Sequence, residues 1–273
     1  MIVSSEPLAQ LSHLPNADGS ASFSFCGYAV TATANGPIEA PRRDENPFEA
    51  LVDVTVRPAA GVGGTAERQL ESILQAALRQ LIPVRDFPRC MIQVTLQVTE
   101  TPVNAYQGTK LVQAQVVRLL LAAIGNVVGV EENLIALVWQ NLPLIPALLH
   151  AAILGLLAAS VPLKKVVVAT TLAIPATSDD FIVEPDAEQV GKAKSLHTLS
   201  FTSDDELLLA ESSGLFSVEE WNKILEAGKR VCCQDEGSGF DTAMGGIDHE
   251  STDMKAFIRT VLKTKAAADL HWK

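Results

Sequence analysis

Strict alternation of apolar and polar residues marks the strands in the first hundred residues of the chain. Residues 91–99, MIQVTLQVT, alternate aliphatic side chains with glutamine and threonine, as a strand with one covered face requires. Residues 51–57, LVDVTVR, repeat the alternation with valines, and β-branched and aromatic residues fill both halves of residues 20–34 around Gly27. The pattern therefore predicts a β-hairpin followed by two further strands.

The segment between the predicted strands at 51–57 and 91–99 has the apolar spacing of a helix. Apolar residues between positions 70 and 81 recur at the spacing of one helix face. They are Leu70, Ile73, Leu74, Ala77, Leu78 and Leu81. Thr65 is the predicted N-cap of this helix, because its hydroxyl can accept a hydrogen bond from a free backbone N–H of the first turn.

The second half of the chain repeats this mixture of periods with more apolar residues. The predicted helices cover residues 110–124, 147–159 and 217–231, and the predicted strands cover 165–174, 181–184, 196–202 and 206–210. Residues 165–174 form a near-continuous β-branched run, which is typical of the middle of a sheet. Ser217 is the predicted cap of the helix that follows the last strand. These elements together predict a single α/β or α+β domain ending at about residue 233.

The C-terminal segment differs in composition from that domain. Residues 234–252 are polar, acidic and rich in glycine, which predicts a linker or an insertion. A last helix is predicted within residues 253–273, either docked against the domain or free.

Residues 134–160 are almost continuously apolar and have the length of a membrane span. Polar residues and prolines interrupt this stretch, and no cluster of cationic residues marks either end. The interruptions are Gln140, Asn141, Pro143, Pro146 and His150. A buried helix covered on several sides is the favoured interpretation, and a membrane span is the alternative. His150 is interpreted as a core residue bonded to a carbonyl group, and His197 is likewise interpreted as structural.

Charge and cysteine content narrow the class of protein. The formal net charge of −11 disfavours a stand-alone nucleic-acid binder, unless basic residues gather locally or partners supply them. The four cysteines fit neither a disulfide framework nor a paired Cys-x-x-Cys zinc site, so we expect reduced thiols, an intracellular protein and no metal or cofactor. The N-terminal residues lack a basic region and a continuous apolar run, so secretion is not expected.

Short motifs along the chain resemble, in order and spacing, those of the ribonuclease PH family. They are Ala17-Asp18-Gly19-Ser20, Gly36-Pro37-Ile38-Glu39, Arg57-Pro58, a helix with Glu71, Pro88-Arg89, the stretch 149–163, and Glu184-Pro185-Asp186-Ala187-Glu188-Gln189. The resemblance covers roughly residues 14 to 231. Within the family it favours the ring subunits of the eukaryotic RNA exosome core.

This resemblance implies a two-layer ribonuclease PH-like fold, of the ribosomal protein S5 domain 2 type. It also implies a six-membered ring of homologous subunits, S1/KH cap subunits, single-stranded RNA in a central channel and associated 3′–5′ ribonucleases. A subunit of this kind is expected in the nucleus, nucleolus and cytoplasm, where it serves rRNA processing and RNA degradation.

Active members of the family cleave the 3′-terminal phosphodiester with inorganic phosphate, using arginines, a Gly-Thr-Arg-type turn and paired acids. By resemblance, Arg68 corresponds to the phosphate-holding arginine, and Lys110 replaces the arginine of the turn, without its bidentate fork. Glu188 matches the first acid, whereas Lys194 or its neighbour Ser195 stands at the second. A lysine there competes with a metal ion for the same negative charge, so no catalytic residue is assigned.

Two further groups are candidates for RNA contact. By the same resemblance, the loop that contains Gly61, Gly63, Gly64 and Thr65 corresponds to one that faces the channel in ring assemblies. The adjacent pair Arg42-Arg43 is basic. Each group has an ordinary alternative, a flexible loop for the glycines and a solvated turn for the arginines. The sequence thus favours a non-catalytic ring subunit. A phosphate-dependent exoribonuclease with a composite site is the alternative, and an unrelated small-molecule enzyme on a similar fold is a weaker one.

Overall fold

The structure is a computed structural model, and it describes residues 6–61, 63–102, 142–175, 181–233 and 254–270. Its first sheet contains β1 (Leu8–Leu11), β2 (Gly19–Phe25), β3 (Tyr28–Glu39), β4 (Leu51–Arg57) and β5 (Cys90–Glu100), in the order β1-β2-β3-β5-β4. Neighbouring strands are antiparallel, except that β4 runs parallel to β5. Helix α1 (Thr65–Leu81) lies between β4 and β5 in the chain and makes the crossover that a parallel pair requires.

Burial alternates along these strands as the sequence predicts. In β5, the aliphatic residues from Ile92 to Val98 are buried, while most of the intervening glutamines and threonines retain contact with solvent. Helix α1 covers the buried face, and two of its side chains also bind the backbone of edge strand β4. Glu71 accepts a hydrogen bond from Val56 N (2.9 Å), and Gln75 donates one to Val52 O (2.7 Å). The helix therefore satisfies backbone groups that an edge strand would leave unpaired.

Helix α2 (Leu144–Ala158) is apolar on all sides because it packs between the two sheets. It contacts β2 and β3 of the first sheet and β6 of the second. This arrangement confirms the prediction of a buried helix in this stretch. Among the described residues, no helix combines the length and apolarity needed to cross a membrane.

Two of the sequence landmarks, Ala-Asp-Gly-Ser and Gly-Pro-Ile-Glu, meet at one end of the first sheet. The Asp18 carboxylate accepts a hydrogen bond from Gly36 N (2.9 Å). Gly19 lies against the end of α2, where a Cβ atom would come within 2.2 Å of Ala159 N. The Ser20 hydroxyl is buried and accepts from Leu14 N (3.0 Å). Both landmarks thus fix the packing of the backbone in this region.

The second sheet contains β6 (Val167–Pro175), β7 (Ile182–Val183), β8 (Ala193–Thr202) and β9 (Leu207–Gly214), in the antiparallel order β7-β6-β8-β9. Strand β6 is buried on both faces, as its continuous β-branched run predicts. Helix α2 covers one face, and helix α4 (Val218–Cys233) covers the other. The short helix α3 (Ala187–Lys192) connects β7 to β8.

Helix α5 (Met254–Asp269) docks against the domain. Met254 and Ile258 are buried, and the Phe257 ring lies 6.4 Å from that of Phe23. Lys265 Nζ also donates a hydrogen bond to Ser12 Oγ (2.9 Å). The contacts decide between the two predicted states of this helix in favour of docking.

Most of the predicted elements are present with shifted ends. The hairpin, the strands at 51–57 and 91–99 and the helix at 70–81 are confirmed. The Ser217 cap is also confirmed, because its hydroxyl accepts from Glu220 N (3.2 Å) while the Glu220 carboxylate accepts from Ser217 N (2.6 Å). The predicted helix at 110–124 and the linker at 234–252 lie outside the described residues.

The prediction of Thr65 as N-cap of α1 is wrong by one residue. Gly64 occupies the cap with extended dihedral angles, and Thr65 is the first helical residue. The Glu67 carboxylate accepts a hydrogen bond from Gly64 N (2.5 Å), so an acid from inside the helix binds the cap residue. Strand β1 and helix α3 are further elements that the sequence pattern did not predict.

Candidate functional site

The glycine loop joins the end of β4 to the start of α1. Gly61 has φ of +89°, a conformation that side chains rarely adopt, so this position requires glycine. A Cβ atom at Gly63 or Gly64 would meet its neighbours only at ordinary contact distances of 3.8 and 3.5 Å. Gly61 and Gly63 are exposed and Gly64 is half-buried, and of these three glycines only Gly61 is required by its backbone conformation.

Arg68 lies on the first turn of α1, and its side chain is exposed. Its backbone N–H donates to Gly64 O (3.3 Å), while its guanidinium makes no hydrogen bond or ion pair within the described ranges. The first turn of a helix carries unpaired N–H groups and a partial positive charge, so an anion there gains from both. Arg57, at the other end of the same loop, is also exposed. Sequence reasoning treated Arg57 only as a landmark, although a cation at a strand end directly before a glycine loop is a usable pattern.

Arg42 and Arg43 lie at the opposite end of the first sheet. They are exposed in the turn that precedes β4, whereas Arg68 follows the end of β4. A strand of seven residues is about 23 Å long, so the structure does not bring these two groups together. Lys110, the remaining basic candidate, lies outside the described residues.

Glu188 and Lys194, the two positions that the sequence resemblance predicts for the acid site, are both exposed and form ion pairs with different partners. Glu188 lies on α3 and forms an ion pair with Lys192 (2.6 Å), whose hydrogen bond lowers the pKa of the Glu188 carboxyl. Lys194, at the start of β8, forms an ion pair with Glu220 (2.7 Å). The hydrogen bond that Lys194 donates to the Glu220 carboxylate, together with one from Ser217 N, lowers the pKa of Glu220 to about 2. The two positions therefore do not converge on a common ligand.

Ser195, the alternative to Lys194 as the predicted second position of the acid site, is buried and contacts the ring of His197. His197 Nε2 lies 3.0 Å from Ser195 Oγ, and its Nδ1 lies 2.9 Å from Ser212 Oγ. The ring packs edge-on against Phe216 and beside Trp221. Burial lowers the pKa of His197 to about 4, so the ring is neutral and donates to one serine while accepting from the other. The geometry agrees with the structural role predicted for this residue.

His150 is a core residue, as predicted. Its ring accepts a hydrogen bond from a backbone N–H, whereas the prediction was that it donates one to a backbone carbonyl. Ala169 N donates a hydrogen bond to His150 Nε2 (3.0 Å), so the proton lies on Nδ1. Since α2 carries His150 and β6 carries Ala169, the bond ties the central helix to the second sheet. Burial lowers the pKa of His150 to about 4. Within the described part of the chain, Nδ1 has no hydrogen-bond partner.

Glu184 is an acid that sequence reasoning named only as part of a landmark. It follows β7 with φ of +54°, and its N–H donates to Thr171 O (2.8 Å). Burial of its carboxyl raises the pKa to about 7. Nothing in the local sequence distinguishes it from Glu188, because its burial depends on packing between the two halves of the domain.

In the ranges that the structure describes, no group of three or more His, Cys, Asp or Glu residues has the geometry of a metal site.

Comparison with known proteins agrees with this architecture. The chain belongs to the 3′ exoribonuclease family, ribonuclease PH type, whose domain 1 matches residues 7–162. Within that family it is Rrp46-like. It is 29% identical over 230 residues to the exosome complex component RRP46 of Saccharomyces cerevisiae, covering 82% of this chain and 89% of that protein.

One further relative and one solved structure agree with these findings, the first in sequence and the second in fold. The exosome complex component rrp46 of Schizosaccharomyces pombe is 26% identical over 219 residues, which cover 78% of each chain. The crystal structure of rice (Oryza sativa) Rrp46 has a similar fold, with a TM-score of 0.68 and 20% identity over 94% of each chain. The ribonuclease PH-like fold and the exosome-type resemblance predicted from the sequence landmarks are thus confirmed.

Proposed function

We propose that the chain is a non-catalytic ring subunit of the RNA exosome core. Its kinship supports membership of the ring, because relatives named as exosome components are similar to it over about four-fifths of its length. In this role it pairs with other ribonuclease PH-like subunits in a six-membered ring and lies beneath S1/KH cap subunits. The ring guides single-stranded RNA to associated 3′–5′ ribonucleases in the nucleus, nucleolus and cytoplasm, for rRNA maturation and RNA turnover.

The lack of catalysis is supported by the separate ion pairs of Glu188 and Lys194. Paired acids act in phosphodiester chemistry by converging on one metal ion or one proton. Here Glu188 is neutralised by Lys192, and the second position holds a cation that Glu220 binds. A cation at that position repels a divalent ion, so the pair cannot form the negative site that the reaction needs.

Guidance of RNA is supported by the glycine loop and the two arginines at its ends. Both Arg57 and Arg68 are exposed, and guanidinium groups bind phosphate oxygens in a planar, bidentate way. The chain as a whole has a net charge of −11, so any attraction for a polyanion must be local. The small residues of the loop leave space beside these cations for a strand of RNA.

A phosphate-dependent 3′–5′ exoribonuclease with a composite site is the second candidate. It is favoured by the guanidinium of Arg68, which lies on the first turn of a helix and has no partner among the residues that the structure describes. In this case the missing acid would come from a neighbouring subunit.

Phosphorolysis by the assembled ring separates the two candidates. The chain, alone and co-purified with its ribonuclease PH-like neighbours, is incubated with labelled single-stranded RNA, Mg²⁺ and inorganic phosphate. We expect assembly without release of nucleoside diphosphates, and an active family member serves as the positive control. Phosphate-dependent release that Arg68→Ala abolishes would contradict the proposal and support the second candidate.

A further inference from the structure

Helix α5 carries a row of cations along one flank. Lys255, Arg259 and Lys263 recur every four residues, so they follow one line on the helix surface with a rise of about 6 Å per step. Arg259 and Lys263 are exposed, whereas Met254 and Ile258 on the docked side of the helix are buried. Docking therefore holds these three cations, here named the α5 stripe, in a fixed place on the domain.

The positive charge of the α5 stripe is not balanced within its own helix. Asp269 is the one acid among residues 254–270, and it forms an ion pair with Lys265 (3.2 Å). Within the described ranges, the side chains of Arg259 and Lys263 form no hydrogen bond or ion pair. Like charges four residues apart repel each other, so an anion lying along the stripe would relieve a repulsion that the helix otherwise carries.

Helix α4 shows the opposite charge pattern. There Glu219 precedes Lys223 by four residues, and Glu226 precedes Arg230 by the same step. This is the spacing at which an acid and a base attract each other on a helix surface. In the α5 stripe the same step connects cations only.

The stripe begins close to the end of α4. Burial and the Asp205 carboxylate raise the pKa of the Cys233 thiol to about 11, while the charges of Lys229 and Lys255 oppose that rise. Both lysines therefore lie near this thiol. Asp205 is the acid at this place, and it also forms an ion pair with Lys229 (3.8 Å). It is thus shared with a second cation and does not cancel the charge of the stripe.

A single strand of RNA fits the α5 stripe better than an acidic peptide does. Successive phosphates of an extended strand are separated by a distance comparable to the four-residue step, so neighbouring cations can meet neighbouring phosphates. A nucleic acid also releases condensed counterions when cations approach, whereas exposed pairs of lysine with free carboxylates contribute little. The net charge of −11 confines the attraction for RNA to places where cations gather.

We propose that the α5 stripe binds the phosphate backbone of single-stranded RNA, as a contact separate from Arg57 and Arg68 at the glycine loop. Helix α5 packs at the β1 edge of the first sheet, where Lys265 donates to Ser12. Helix α1, which carries Arg68, packs on β4 at the other edge. The inference takes its ligand from the proposed function, but it requires neither ring membership nor the lack of catalysis.

The test is binding of a fluorescently labelled oligouridylate to the full-length chain, measured by fluorescence anisotropy at several salt concentrations. The variant Lys255→Gln/Arg259→Gln/Lys263→Gln should bind at least about tenfold more weakly at about 50 mM salt. The slope of log K against log salt should decrease by about two units, because three phosphate contacts are lost. Lys255→Arg/Lys263→Arg, which keeps the charge, should bind within about twofold of the original chain.

A second triple variant provides the control of equal charge. Arg79→Gln/Arg89→Gln/Lys192→Gln removes three exposed cations that are each paired with an acid, so RNA binding should weaken by less than about threefold. Circular dichroism confirms that both triple variants are folded. If the stripe variant does not fold, Arg259→Gln alone should lower the salt slope by about 0.7 units. Equal binding by the two triple variants, or an unchanged slope in the single variant, would overturn the proposal.

Cross-linking separates this contact from the one at the glycine loop. RNA that contains 4-thiouridine is cross-linked to the chain, and the modified peptides are identified by mass spectrometry. We expect cross-links within residues 254–270 that persist in Arg68→Gln. Cross-links confined to the surroundings of Arg68 would overturn the inference and leave the proposed function intact, since ring membership is tested separately by co-purification.

A glutamate-rich peptide of the same charge as the RNA serves as the competitor. We expect it to displace the oligouridylate only at concentrations at least about tenfold above that of unlabelled RNA. Displacement at equal or lower concentration would assign the stripe to an acidic polypeptide and overturn the proposal.

Discussion

Lys194 Nζ lies 2.7 Å from the carboxylate of Glu220 and joins the start of β8 to the first turn of α4. The same Glu220 carboxylate accepts from Ser217 N, so one acid both binds the lysine and caps the helix. Lys194 therefore helps to hold helix α4 against strand β8 of the second sheet. The resemblance drawn from the sequence predicts that this position corresponds to the second acid of active family members, and the ion pair with Glu220 would accommodate a cation there.

Replacement of Gly19 by alanine should destabilise the domain strongly. The added Cβ atom would lie 2.2 Å from Ala159 N and 2.4 Å from Gly155 O, which are backbone atoms that cannot move aside cheaply. We expect a loss of about 3 kcal/mol or more in the free energy of unfolding, measured by urea denaturation. Gly191→Ala is the matched control, because nothing lies within 4 Å of the corresponding Cβ position. Equal effects of the two substitutions would show that α2 does not pack against Gly19 in this way.

Stability should fall as the pH decreases from 6.5 to 4, because His150 is buried in its neutral form. The pKa of His150 is 6.5 when unperturbed and about 4 in the folded chain. Between pH 6.5 and pH 4, His150 is therefore protonated in the unfolded chain but neutral in the folded chain, which favours unfolding. The contribution of neutral His150 to the free energy of unfolding is fully present above pH 6.5 and is lost as the pH falls to 4. The loss over this range is about 3 kcal/mol. His197, whose pKa is also about 4, acts in the same direction.

The variant His150→Gln isolates this contribution to the pH dependence. Glutamine retains an acceptor for Ala169 N but does not titrate, so the free energy of unfolding should depend less steeply on pH than in the original chain. The measurement is urea denaturation at intervals between pH 4 and pH 7. A slope identical to that of the original chain would contradict the buried, neutral state of His150.

Charge removal at Arg68 should weaken retention of RNA by the assembled ring without affecting assembly. Arg68→Gln removes a guanidinium that has no partner within the described residues, so we expect severalfold weaker binding of single-stranded RNA. The slope of log K against log salt should also decrease by about one unit if one phosphate contact is lost. Arg79→Gln, near the far end of the same helix and paired with Glu49, is the control of equal charge. Indistinguishable binding by the two variants would remove Arg68 from the RNA path.

Docking of α5 should contribute measurably to the stability of the domain. Ile258 is 1% exposed, so Ile258→Ala should lower the free energy of unfolding by about 2–4 kcal/mol. Arg259→Ala, which changes the exposed neighbour, should alter it by less than about 0.5 kcal/mol. Thermal denaturation of both variants provides the comparison. If neither substitution changes the stability, the helix does not belong to the core.

Periodicity was sufficient to predict strands β2, β3, β4 and β5 of the first sheet and helix α1, because each of them buries one face more than the other. It missed the cap at Gly64, since the stabilising group there is the carboxylate of Glu67, three residues further on, and Thr65 offered a plausible hydroxyl. It also missed α3, whose six residues are too few to display a helical period.

The candidate site shows a different limit of sequence reasoning. Resemblance identified Arg68, Glu188 and Lys194 as positions of interest, but not the partners that hold them. Lys192 is a helical neighbour of Glu188 and could be inferred from spacing, whereas Glu220 is distant in the chain and depends on how β8 packs against α4. Glu184 is hidden for the same reason, because its surroundings come from several elements.

The close approach of Gly19 to Ala159 bears on how kinship in this family should be interpreted. The glycine of this motif is required because the backbone at Gly19 packs closely against the backbone at Ala159. Its presence therefore gives no information on whether the protein cleaves a phosphodiester. A chain can therefore keep every landmark by which it is recognised while its chemistry disappears, so activity has to be judged from the acids and cations one by one.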